Sequence, residues 1–207
     1  MNTNSNTYII IYAAIMVVIV AFLLAFVGKT LQPLSDKNVE IDTKKHILNS
    51  LNMRDVAKTD VENVYKKILV EEKQEDNVEY KVFNVDGAKK YVVTVKGQGL
   101  WGGISGYIAL DEDAETIYGA DFQHESETAG LGALIADKPF QESFIGKKLF
   151  DGDDKSEIAL SVVKQGKAGN MNPNNVVDGL TGATLTSNGV DAMLKTSLGE
   201  FVKVINK

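Results

Sequence analysis

The chain contains no cysteine, which removes disulfides, iron–sulfur ligation, thiolate nucleophiles and cysteine-based zinc sites in one step. That absence costs nothing in an oxidising compartment but does not prove one. Histidine is almost as scarce, His46 and His124 alone, so a histidine-rich metal centre is not expected. Tryptophan occurs once, at Trp101, and arginine once, at Arg54, although Lys plus Arg total 22. Asp plus Glu total 28, for a formal charge of −6. A mildly acidic chain with a single guanidinium cannot build the bidentate arginine clusters that grip nucleic-acid phosphates, so no nucleic-acid partner is expected. Any phosphate must be held by hydroxyls and backbone N–H groups. The 207 residues fit one domain with appendages.

Charge is also missing from one stretch. Tyr8 to Val27, YIIIYAAIMVVIVAFLLAFV, has no ionisable acid or base across 20 residues, and a helix of that length rises about 30 Å, the thickness of a bilayer core. A cleavable signal peptide would need a basic start, a shorter apolar core and an A-x-A-like site. MNTNSNT has no Lys or Arg, and Ala25-Phe26-Val27 is a poor cleavage site. Residues 8–27 are therefore read as a retained transmembrane helix in the lipid bilayer, after a tail (1–7) and before a linker (28–35) that contains Pro33. Lys29, Lys37, Lys44 and Lys45 follow the span and no Lys or Arg precedes it, which by the positive-inside rule alone puts the body in the cytoplasm.

Residues 36–207 read as one α+β domain with an antiparallel sheet and flanking helices. Val39 to Leu51 and Val56 to Leu69 carry apolar residues at helical spacing, two lead-in helices broken near Asn52. Strands are expected at Val78–Val85, Lys89–Lys96, Ile104–Leu110 and Thr116–Phe122, with turns at Asp86-Gly87 and Asp111-Glu112-Asp113. A short helix over Lys138–Phe144 and a strand over Glu157–Lys164 follow a loop. Val190, Leu194, Ser197, Leu198, Phe201 and Ile205 mark one face of a C-terminal helix, with Thr186, Ser187 or Asn188 as its N-cap.

Several motifs fail on context. Gly97 to Gly102 satisfies G-x-G-x-x-G, but a dinucleotide fingerprint needs a helix next and the following residues read as strand. The glycines instead let backbone approach a neighbour or ligand closely. His124-Glu125 lacks the second histidine of a zinc peptidase, and no serine stands in a G-x-S-x-G elbow. Asp178 to Gly189, DGLTGATLTSNG, is different: three threonines, a serine and three glycines within 12 residues lead into a helix. Unhindered N–H groups at such a start form a phosphate site that needs no arginine.

Asp178-Gly179-Leu180-Thr181-Gly182-Ala183-Thr184 resembles the flavinylation motif D-x-x-[ST]-G-A-T. With Gly99-Leu100-Trp101-Gly102, His124 to Gly132 (HESETAGLG) and the N-terminal span, nearly the whole chain resembles the C subunits of sodium-translocating NADH:quinone reductases. Related FMN-binding domains include the G subunits of Rnf electron-transport complexes. The resemblance implies FMN joined by a phosphoester to Thr184, installed by a flavin transferase, with Thr181, Gly182 and Ala183 leaving room for the phosphate. It implies Glu127 and Thr128 at the polar edge of the ring, Leu131 on its face, and Gly130 and Gly132 permitting close approach. Lys164 resembles a lysine beside the cofactor, though an isolated lysine also suits a solvated strand end. Trp101, between glycines in a turn, reads as an aromatic contact near the flavin, with a plug at the rim of the sheet as the alternative. Asp178 belongs to what the transferase recognises or begins a turn. His124 is left structural. The implied function is a one-flavin electron carrier in an inner-membrane, sodium-pumping NADH:ubiquinone oxidoreductase, with other redox and membrane subunits as partners and the domain on the periplasmic side. The alternative within the same chemistry is the G-type flavin subunit of an Rnf electron-transport complex, and a flavin-free, membrane-anchored interaction module is the alternative of another class.

Overall fold

A computed structural model describes residues 5–76, 78–152 and 155–206; the first four residues of the expected tail and Lys207 lie outside the described residues. Helix α1 (Asn6–Ser50) opens the chain. Residues 28–35, expected as a linker, are helical, and α1 passes through Pro33. A proline removes one i to i−4 hydrogen bond without stopping a helix that is well supported on either side. One turn earlier Thr30 Oγ1 donates to the Phe26 carbonyl at 2.8 Å. The apolar part of α1 is long enough to cross a membrane by length and composition, and none of it is buried. The chain divides into compact units Met1–Asp42 and Thr43–Lys207.

In the second unit, helix α2 (Val61–Ile68) leads directly into a sheet. Five strands form an antiparallel meander in sequential order: β1 (Leu69–Glu75), β2 (Val78–Val85), β3 (Ala88–Gln98), β4 (Gly103–Leu110) and β5 (Ile117–His124). Strand β1 has no counterpart among the expected strands. Its sequence LVEEKQE is nearly all exposed and lacks the alternation that marks a half-buried strand. Asn84 shapes the β2–β3 turn by accepting from Gly87 N–H at 3.0 Å, with Asp86 at φ 52° and Gly87 at φ 85°. A short helix α3 (Lys138–Glu142) begins at a proline-compatible N-terminus. Strands β6 (Ser161–Val163) and β7 (Val176–Asp178) pair in parallel, β6 being shorter than the strand expected over Glu157–Lys164. Helix α4 (Thr184–Ile205) closes the chain.

Each face of the sheet buries a different set of side chains. On one face Val93, Val95, Ile108 and Phe122 pack with Val190, Leu194, Leu198 and Phe201 of α4 and with Phe140 and Phe144. Phe201 stands edge-on to Tyr80, ring centroids 5.3 Å apart. On the other face, Ile47 and Leu51 meet Tyr65 of α2, Phe83, Val92 and Ala109. Asp121, 3% exposed, fixes this second layer. It accepts from Asn49 Nδ2 at 3.1 Å, lies 2.6 Å from His46 Nδ1 and has the guanidinium of Arg54 at 3.7 Å. The single arginine is thus used inside the domain. Lys45 Nζ ties off the following turn by donating to the Arg54 and Val56 carbonyls, both at 2.6 Å.

Ile47, Leu48 and Leu51 are almost fully buried. A chain starting at Thr43 should therefore unfold cooperatively in denaturant, whereas one starting at Met53 should lose about 5 kcal/mol or more, comparable to a domain's net stability. Equal midpoints for the two would contradict this account of the second layer.

Candidate functional site

Three segments converge at one end of the α4 face of the sheet: the β3–β4 turn at 99–102, the loop after β5 at 125–132, and the run 178–187 that enters α4. Glycine makes the convergence possible. A Cβ at Gly97 would lie 2.6 Å from Met193 Cβ, and one at Gly189 would overlap the Gln98 carbonyl oxygen. Helix α4 therefore rests directly on the end of β3. The β3–β4 turn closes with Gly99 N–H donating to Gly102 O at 2.9 Å.

At the centre of the three segments is Glu127, 7% exposed. One carboxylate oxygen accepts from Trp101 N–H at 2.8 Å, and the other accepts from Thr186 Oγ1 at 2.5 Å. The backbone N–H groups of Leu100 and Gly102, on either side of Trp101, also favour its charged form. Burial alone would push the carboxyl's pKa up, but the Thr186 hydroxyl and these three N–H groups outweigh it and hold Glu127 below its ordinary value. No lysine, arginine or histidine forms an ion pair with it among the described residues. A Cβ at Gly99 would lie 2.5 Å from Glu127 Oε1, and one at Gly132 would lie 2.6 Å from Thr186 Oγ1. The glycines that imitate a dinucleotide fingerprint thus admit a protein carboxylate.

Helix α4 begins at Thr184, and its N-cap, Ala183, lies three to five residues before the expected one and has no side-chain cap. Thr186 and Ser187 serve other purposes. Ser187 Oγ accepts from Leu180 N–H at 2.9 Å and donates to the Ala183 carbonyl at 3.0 Å, folding the loop back onto the first turn. The loop turns at Gly182, φ 80°, where a Cβ would come within 3.0 Å of Leu131 Cδ2. Thr184 is exposed at the positive end of a 22-residue helix, whereas Thr186 is buried.

The other expected residues fall as follows. Thr181 is exposed, with Oγ1 3.5 Å from Gln165 Oε1, and Ala183 is buried. Lys164 is exposed just beyond β6, beside the Gly179 N–H that donates to Val163 O at 2.6 Å. Thr128 is exposed, and its carbonyl accepts from Leu131 and Ala133 N–H, both at 3.1 Å, while Gly130 turns at φ 74°. Trp101 is 66% exposed, so it is not a buried plug. Of the pair expected at the polar edge of a ring, only Thr128 faces outward; the Glu127 carboxylate is turned into the protein. Asp178 is exposed and borders a separate cavity of 410 Å³ with Lys147, Met171 and Pro173. His124 is half-buried with Nδ1 unpartnered. Sequence reasoning misses Thr186, yet the spacing 186, 190, 194 puts it on the buried stripe of α4 once the helix is begun at Thr184.

The surface so formed suits a flat aromatic phosphate ester. A hydroxyl stands at an uncapped helix N-terminus, and Leu100, Trp101, Leu131 and Leu185, exposed by 42–66%, are carried on the same three segments. Large apolar side chains left in water at one place mark a binding surface. The fold and the site define a flavin-binding class: the FMN-binding domain family matches residues 99–199. The C subunit of the Na(+)-translocating NADH-quinone reductase of Haemophilus ducreyi is 44% identical over 108 residues, 52% of this chain and 40% of that protein. Its counterpart in Vibrio vulnificus is 39% identical over 123 residues, 59% of this chain and 47% of that protein. The chain thus spans less than half the length of these curated relatives. The crystal structure of the corresponding C subunit from Parabacteroides distasonis superposes with a TM-score of 0.76 at 37% identity, covering 86% of this chain and 98% of that one. Shewanella oneidensis NqrC shares the fold, with a TM-score of 0.62 at 21% identity over 79% of this chain and 97% of that one. The chain belongs to the family formed by the C subunits of Na(+)-translocating NADH-quinone reductases.

Because the Glu127 pKa is lower in the folded chain than its ordinary 4.5, its stabilisation is complete above the unfolded value and is lost as pH falls through the folded one. Trp101 fluorescence should therefore change with a midpoint below about 4.5, a transition missing from Glu127→Gln. Thr186→Val should cost about 1.5–3 kcal/mol, the scale of a hydrogen bond to a charged group, as read from denaturant midpoints.

Proposed function

We propose that this chain is a membrane-anchored, one-flavin electron carrier and that FMN is attached covalently to Thr184. The observation that carries the reading is the Thr184 hydroxyl, exposed at the first residue of α4 within D-x-x-T-G-A-T, while the neighbouring Thr186 and Ser187 hydroxyls are committed to protein partners. When bound, the flavin supplies the redox chemistry. The chain's own residues attach and orient it. Thr184 provides the oxygen for the phosphoester, and Thr181, Gly182 and Ala183 leave room for the phosphate. The N–H groups of the first α4 turn stabilise its charge without an arginine. Trp101 and Leu131 offer apolar surface to the ring, Gly130 lets the loop turn beside it, and Thr128 offers a hydroxyl at its edge. Lys164 offsets negative charge from the β6 end. Attachment requires a flavin transferase, and Asp178, exposed at the start of the motif, belongs to the surface such an enzyme reads.

Residues 8–27 span the bilayer and the domain that begins after 35 carries the flavin. The span has no ionisable residue, and an ion path needs one, so sodium crosses through other subunits. By likeness to the family, the chain works within a sodium-pumping NADH:quinone reductase, among further redox and membrane subunits. The domain lies on the periplasmic side of the inner membrane, against the lysine count.

Thr184→Val deletes the oxygen and keeps the shape. Covalent flavin fluorescence on a denaturing gel should vanish, with the melting temperature little changed, because Thr184 is exposed. Flavin that survives would move the anchor elsewhere, and a native chain carrying none in a host with the transferase would favour a flavin-free module. Protease added to right-side-out spheroplasts should cut the domain; protection would reverse the topology.

A further inference from the structure

We propose that Glu127 is a positioning residue whose carboxylate accepts from the Trp101 N–H and, through Thr186, locks the Trp101 turn to the first turn of α4. The structure offers two buried acids for comparison. Asp121 is balanced by His46 and Arg54. Glu127 has no ion pair among the described residues and is held by two neutral donors, the Thr186 hydroxyl and the Trp101 N–H, one on each carboxylate oxygen. A carboxylate set against the N–H side of a tight turn serves as that turn's anion, and here the anion is part of the chain. The turn that carries Trp101 is short and glycine-rich, with Ser126 Oγ donating to the Trp101 carbonyl at 3.1 Å as its other side-chain tie. Without the carboxylate, the Trp101 N–H and the Thr186 hydroxyl lose their shared acceptor.

Glycine at 99 and at 132 supports the assignment, since a Cβ at either position would press against the carboxylate or the Thr186 hydroxyl. The carboxylate also lies at the N-terminal end of α4, where the helix dipole favours negative charge. Trp101 and Thr184 thereby sit on one braced frame before any cofactor arrives. That this frame serves a flavin rests on the reading above; that it is built on Glu127 does not.

The test uses the full chain in detergent, made with and without the flavin transferase. In Glu127→Gln the acceptor loses its charge, and an NH2 group must replace one of the two oxygens that face the Trp101 N–H and the Thr186 hydroxyl. Hydrogen exchange at Trp101 should then accelerate about tenfold or more, as expected when a hydrogen bond to a charged group is lost, and the anisotropy of Trp101 emission should fall. Thr186→Val should reproduce part of both changes and Thr186→Ser should restore protection, a rescue that general loss of packing would not produce. Unchanged exchange and anisotropy in a folded Glu127→Gln chain would overturn the proposal. If that variant does not fold, indistinguishable Thr186→Val and Thr186→Ser chains would overturn it, and rescue by serine would uphold it. Thr184→Val separates the two claims: it should abolish covalent flavin while leaving the Trp101 amide protected, and flavin retained with that amide protected would remove the attachment reading alone.

Discussion

Helix α4 lies against β3 with no side chain between the two backbones at their closest point, where Gly189 meets the carbonyl of Gln98 and Gly97 makes room for Met193. The rest of the site follows from that approach. A helix held this close turns Thr186 inward within reach of Glu127, and Thr184, two residues earlier and on the opposite side of the helix, is left in solvent. The large apolar residues of α4, led by Phe201 with the rings of Tyr80 and Tyr91 around it, then fill the wider space further along the sheet. Small residues at one end and large ones at the other fix the direction in which the helix N-terminus points.

The domain separates two ways of handling buried charge. On the face of the sheet covered by Ile47 and Leu51, Asp121 is met by the Arg54 guanidinium and the His46 ring, which reach in from partly exposed positions, an arrangement that joins layers. On the α4 side, Glu127 is met by a hydroxyl and a backbone dipole and by no ion pair among the described residues.

Much of this is legible from residue order. Runs of β-branched and aromatic residues between turn residues place β2 with its observed ends and put β3, β4 and β5 within two residues of theirs. The apolar stripe on α4 is equally plain. What escapes has physical causes. β1 is an edge strand with little to bury, so no pattern marks it. Residues 28–35 continue as helix through Pro33, which punctuation by proline cannot foresee. The start of α4 is expected too late because three hydroxyl or amide residues all suit an N-cap by type, whereas the chain gives that position to Ala183 and uses Thr186 and Ser187 for tertiary bonds. The Glu127–Thr186 pair joins residues 59 apart, and no local rule can find it. The D-x-x-T-G-A-T run singles out Thr184 without revealing the frame behind it.

A five-stranded meander leaves two edges, and the chain treats them differently. The β5 side runs on into the isolated bridge between Thr116 and Lys148 and the helical turns that follow. The β1 edge is open, but its outward row is Glu71, Glu72, Lys73 and Glu75, with an irregular register between Leu69 and Glu71. Another strand adding there would bring like charges together along its length and meet a kink at the start. Copies of the chain concentrated on a surface are therefore discouraged from joining sheet to sheet, and the positions that protect them are the same charged ones that hide β1 from the sequence pattern.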